Sequence, residues 1–97
     1  MTSWLLALAL AAAGEAPPDG AAVFKAKCAV CHDERAWASQ VMGRGKPAGA
    51  GVLAARKGRP AAYTKQIIRK GIGAMPGFTP VDVTDAQADA IAAWLER

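Results

Sequence analysis

Cys28-Ala29-Val30-Cys31-His32 is the stretch whose reading decides the fold. Thiols at positions i and i+3 lie on one face of a helical turn. The only histidine of the chain follows directly. C-x-x-C-H is the attachment pattern of a c-type haem. From one helical face both thiols can reach two vinyl groups of a single porphyrin and form thioethers. The adjoining imidazole projects toward the ring centre, where it can ligate iron. Three plainer readings fit less well. A thioredoxin-like pair needs a strand before the motif and a helix after it, whereas the residues before Cys28 pattern as helix and no βαβ unit follows. A structural zinc site takes about four ligands, more than these residues supply. A disulfide across so tight a loop has poor geometry.

The chain has 97 residues, enough for one small domain. Trp4 to Ala13 is apolar, and Gly14-Glu15-Ala16 with Pro17-Pro18 then breaks the pattern. Residues 1–16 therefore read as an export signal, although no Lys or Arg precedes the apolar run. The run is too short for a bilayer span, which takes roughly 20 residues, so no stable membrane span is expected. Residues 17–97 form the domain, and its expected compartment is the periplasm. A protein of this size has a marginal core of its own. A haem is large, flat and apolar, and a chain wrapped around it gains the interior that it lacks.

Along the chain, Asp19 is placed to cap a helix from about Gly20 through Lys27 into the Cys28–His32 motif. A further turn is expected at Arg35–Trp37. The glycine-rich run from Met42 to Gly51 reads as loop. Val52–Lys57 reads as a short helix. Pro60 opens a helix to Lys70, with Tyr63, Ile67 and Ile68 near one face, and Gly71 closes it. Gly71–Phe78 cannot stay helical. Thr84-Asp85-Ala86-Gln87 is a capping box that opens a last helix through Leu95. The expected class is all-α: three to five helices wrapped around one covalently bound haem.

Iron in a haem has two axial positions, and His32 is the chain's one candidate of its kind. The thioether of methionine is the usual other donor. Met75 is the stronger candidate. Gly71, Gly73 and Gly77 let backbone approach a flat ligand closely, and Pro76 stiffens the segment and keeps it from helix. Met42 and a site open to water stand as alternatives.

With these residues in view, the sequence resembles the class I cytochrome c family, in particular its small bacterial single-haem members. The resemblance runs from about residue 19 to 97. It rests on Gly20 and Phe24, on Cys28-Ala29-Val30-Cys31-His32, on Ala74-Met75-Pro76 and on Ile91-Ala92-Ala93-Trp94-Leu95. It implies a first and a last helix that cross beside the haem, with Gly20 at the close approach and Phe24 packed on Ile91 and Trp94. It also implies a proline carbonyl that accepts from the ligand histidine's other ring nitrogen, and Pro47 is the one candidate here. Trp37, Tyr63 and Phe78 are expected near the haem or in plain packing.

The resemblance implies a one-electron carrier rather than an enzyme, with haem c as its cofactor, bound through Cys28 and Cys31 and ligated by His32 and Met75. The sequence carries no separate catalytic constellation. A haem sensor, a peroxidase-like enzyme with an open sixth site, and a docked haem subunit of a larger oxidoreductase are the competing readings. The formal charge is +4, and from Arg35 to Lys70 nine basic residues occur without one acidic residue. Such a belt favours redox partners with acidic docking surfaces, such as an oxidase, reductase or dehydrogenase. Lys25 and Lys27 are candidates for the rim of the exposed haem edge. No recognition motif for nucleic acid accompanies the charge, and a monomer is expected.

Overall fold

The structure, a computed structural model, describes residues 17–97. The export signal read at residues 1–16 lies outside the described residues. Helix α1 spans Gly20–Lys27, and the extended backbone of Asp19 turns its carboxylate to accept from Ala21 N at 3.1 Å. Cys28, at φ −113° and ψ −30°, interrupts the helix that the sequence led us to expect as continuous. Helix α2, Ala29–His32, restarts at once, and the amides of Cys31 and His32 both bond Cys28 O.

Two further segments differ from expectation. Helix α3 covers Trp37–Met42, where a single turn at Arg35–Trp37 was read. Ala36 is extended, and nothing from Ala36 to Met42 breaks a helix, so it runs until Gly43. Buried Ser39 anchors it by donating from Oγ to Asp33 O at 2.6 Å. The region Val52–Lys57 holds only a 3-10 turn, Leu53–Ala55. Arg56 leaves helical space at φ −83° and ψ 145°, and its Nε donates to Ala50 O.

Helix α4 is Ala61–Lys70, with Pro60 as the residue before its first turn and Gly71 at φ 71° ending it. Gly71–Phe78 is non-helical, and an isolated antiparallel bridge pairs Ile72 with Met75. Helix α5, Asp85–Glu96, opens with the expected capping box: Thr84 accepts from Gln87 N at 3.1 Å, and Gln87 Oε1 accepts from Thr84 N at 3.0 Å. The described residues contain no strand. The fold is all-α, and α1, α4 and α5 are its three substantial helices.

Helix α5 packs on both α1 and α4. Phe24, Ile68, Val83, Ala88, Ile91 and Leu95 form the buried core between them. Gly20 fixes the α1–α5 approach: a β-carbon there would overlap Ala90 O and come within 2.8 Å of Trp94 Cβ. One turn on, the rings of Phe24 and Trp94 lie 5.1 Å apart and tilted by 48°, a favourable aromatic geometry. The close backbone contact and the ring pair set the angle at which α1 leaves α5, and so aim Cys28 and His32 toward the space under α4. Arg97 closes the C-terminal end, stacking over Trp94 at 4.1 Å and donating to Ala54 O.

Gly20→Val forces these helices apart and is expected to lower stability by about 1–3 kcal/mol, as overpacking does elsewhere. Thr84→Ala removes a cap and is expected to lose about 1 kcal/mol. Denaturant unfolding of the pigmented protein checks both.

Candidate cofactor site

A two-lobed cleft opens where α2, α3 and the Gly71–Phe78 segment face one another. The larger lobe is about 330 Å³ and its walls include Cys31, Trp37, Val41, Ile72, Met75 and Phe78. The smaller, about 150 Å³, runs under α4 and is bounded by Leu53, Tyr63, Thr64, Ile67, Ile68 and Leu95. Cys28, His32, Met42, Ile72 and Met75 border both lobes, so the two form one slot with these side chains along its seam. The walls are apolar over most of their extent.

Each side chain read from the sequence has a place. Cys28, Cys31, His32 and Met75 all line the slot. Trp37 and Phe78 border the larger lobe and Tyr63 the smaller, which assigns all three to the slot walls. Lys27 stands at the rim, whereas Lys25 does not border the cleft. Both cysteines are free thiols. Burial, and then the neighbouring Cys31, push the Cys28 thiol up to about 11, so it is held neutral. Burial pushes the His32 imidazole below its ordinary value. Neutral imidazole is the form that gives a lone pair to a metal.

The proline expectation fails. Pro47 borders a different, polar hollow beside Glu34, Ser39, Gln40 and Lys46, and its carbonyl accepts from Ala50 N at 3.1 Å. The glycine-rich loop folds back on α3, because Gly51 sits on Ser39 O too closely for any side chain. That contact carries Pro47 away from the slot. His32 Nδ1 is buried and has no hydrogen-bond partner among the described residues.

Two lining residues escaped the sequence reading. Arg59 and Thr64 bring polar groups to the smaller lobe, and Arg59 makes no ion pair or side-chain hydrogen bond with any described residue. For Thr64 a signal was available, since it follows Tyr63 and precedes Ile67 by one turn on the same helix; Arg59 lies before the helix begins, and no spacing marks it. The set fits a haem. Two thiols, an imidazole and a thioether border one apolar slot, and the unpaired Arg59 guanidinium and the Tyr63 phenol could bind a carboxylate that such a group carries. Among the described residues no group of three or more His, Cys, Asp and Glu side chains is placed to hold a metal ion.

The chain belongs to the cytochrome c family described as "Cytochrome C oxidase, cbb3-type, subunit III", whose family model matches residues 15–95. It is thus a member of the class I cytochrome c family, and its cytochrome c domain implies haem-based electron transfer. No curated protein and no solved structure matches it. The Cys28/Cys31 motif in such a domain points to covalent haem c. Among the described residues no helix is long and apolar enough to cross a membrane.

The slot removes a large share of the potential interior from a domain of about 80 residues. The Cys28→Ala/Cys31→Ala chain is expected to lose covalent pigment and much of its helicity. Haem staining of a denaturing gel and far-ultraviolet circular dichroism report the two losses.

Proposed function

We propose that the protein is an exported carrier of single electrons, working through one haem c bonded to Cys28 and Cys31 and ligated by His32 and Met75. The observation that carries this reading is the seam of the slot, where Cys28, the His32 imidazole and the Met75 thioether meet, with Cys31 on the adjoining wall of the larger lobe. A haem bound there supplies an iron that takes up and returns one electron. The chain supplies everything else. Apolar walls exclude water, Cys28 and Cys31 keep the group from leaving, and His32 presents a neutral nitrogen. With His32 and Met75 both serving as donors, no iron position would remain for a substrate, and the same side chains would hold the group in both oxidation states. That favours a carrier over a sensor or peroxidase-like enzyme.

Met42 borders the same seam, so the choice of sulfur rests on how each is held. Met42 is the last residue of a six-residue helix, followed by the Gly43 turn. Met75 is tied into the bridge to Ile72 by Met75 N to Ile72 O at 2.9 Å and Ile72 N to Met75 O at 3.1 Å. It is followed by Pro76, which limits the backbone further. A neutral thioether is a weak donor and benefits from such pre-ordering. Met75→Ala is expected to abolish the weak near-infrared band of the ferric protein and to let carbon monoxide bind the reduced protein quickly. Met42→Ala is expected to leave both unchanged, and the reverse pattern overturns the assignment.

Residues 1–16 act in this reading as the removed signal, residues 17–97 as the mature domain in the periplasm. Its partners are acidic-surfaced redox proteins. The family's description, a subunit of an oxidase, favours one particular relation, a haem subunit seated on a larger oxidase. Gel filtration of a native periplasmic extract at low and high salt tests compartment and partnership together. Pigment in that extract that elutes larger at low salt, and as a monomer at high salt, is the expected result. Pigment retained in the cytosol removes the export reading.

A further inference from the structure

Helix α4 ends in Arg69-Lys70, and Arg69 differs from the other cations of the basic belt. Its guanidinium turns back over the chain that follows the Met75 segment. Nη1 donates to Val83 O at 2.8 Å and to Phe78 O at 3.2 Å, and Nη2 meets Asp85 Oδ1 at 2.6 Å. The Arg69 side chain is 27% exposed, against 87% for Asp85. The main chain of the same turn takes part. Gly71 N donates to Ile67 O and Phe78 N to Ile68 O, each at 2.7 Å. Gly77 rests on Arg69 O, leaving no room for a β-carbon. Gly71–Phe78 is therefore fastened to the end of α4 at both roots. Among the described residues Arg69 is the one side chain outside that segment that hydrogen-bonds to it, at Phe78 O, while its bond to Val83 O holds the chain just beyond.

We propose that Arg69 is the positioning residue for the Met75 thioether: its fork over Phe78 O and Val83 O holds the loop in the shape that keeps this sulfur in the slot. The inference rests on the reading of Met75 as an iron donor. Charge-assisted bonds from a guanidinium are stronger than neutral ones, and its planar fork reaches several acceptors at fixed angles. Releasing the fork leaves one root of an eight-residue segment held by the Phe78 N to Ile68 O bond alone, which loosens it and raises the entropy that the sulfur must overcome to stay bound. The exposed Asp85 carboxylate contributes little, because exposed ion pairs are weak.

The experiment compares the pigmented wild type with R69M, R69Q, R69K and D85N. The readouts are the near-infrared band of the ferric form and the rate of carbon monoxide binding to the reduced form. R69M keeps the aliphatic stem and loses every donor. It is expected to weaken the band and to speed carbon monoxide binding roughly tenfold, the equivalent of one lost charge-assisted bond. R69K is expected to recover part of the wild-type behaviour, and D85N to match wild type. R69Q keeps one donor and reads the same signature, with a smaller change, should R69M fail to accumulate. Lower thermal stability with an intact band and unchanged carbon monoxide kinetics, in R69M or R69Q, overturns the proposal and leaves Met75 as the donor. A Met75→Ala protein with an intact band overturns the Met75 reading itself, and this inference with it.

Discussion

The approach of α1 to α5 at Gly20 is the contact on which the rest depends. Two backbones meet where one carries no side chain, and Ala90 O and Trp94 Cβ occupy the space that a β-carbon would need. The tilted ring pair of Phe24 and Trp94 then settles the crossing. Because α1 ends one residue before α2, the crossing also decides where Cys28, Cys31 and His32 point. Phe24 carries the link inward, its ring 6.5 Å from that of His32. Ile91, on the next layer of α5, is 1% exposed and backs the same surface. Burial of such a side chain contributes about 2–3 kcal/mol, so the site end of α1 is braced by the part of the core least able to move.

The second brace comes from α4. This helix faces the core with Ile68 and the smaller lobe with Thr64 and Ile67. Its C-terminal end receives the Met75 segment through main-chain bonds to Ile67 and Ile68. The slot is thus framed by two supports, α1 and α4, that both pack on α5 and share its core. One carries the thiols and imidazole, the other the thioether. Several cations of the basic belt belong to this frame rather than to a docking face. Arg69 bonds Phe78 O and Val83 O, Arg56 bonds Ala50 O, and Lys65 pairs with Asp89 at 2.8 Å. Arg35, Arg44, Lys46, Lys57 and Lys70 make no ion pair with a described residue.

Much of this was legible in the residues because the signals were local. Asp19 and Thr84 begin helices through their own side chains, Gly71 ends one by its positive φ, and Pro76 forbids one. The motif at Cys28–His32 is local too. What escaped was set by contacts distant in sequence. Helix α3 gains its length from burial of Ala38 and Ser39, which no cap announces. The turn at Leu53–Ala55 is cut short where Arg56 reaches back to Ala50. Pro47 was assigned by analogy of order along the chain, and Gly51 against Ser39 sends it to the other side of α3. Arg59 stood in plain view, but its side chain acquires a meaning only when a slot exists beside it.

Among the described residues the Met75 segment hydrogen-bonds to the rest of the domain at its two ends, Gly71 and Phe78, and its interior pairs Ile72 with Met75. A stretch anchored in that manner behaves as a cassette. Exchanges at its inner positions other than Met75 and Gly77 would reshape one wall of the slot while the helices beneath retain their packing.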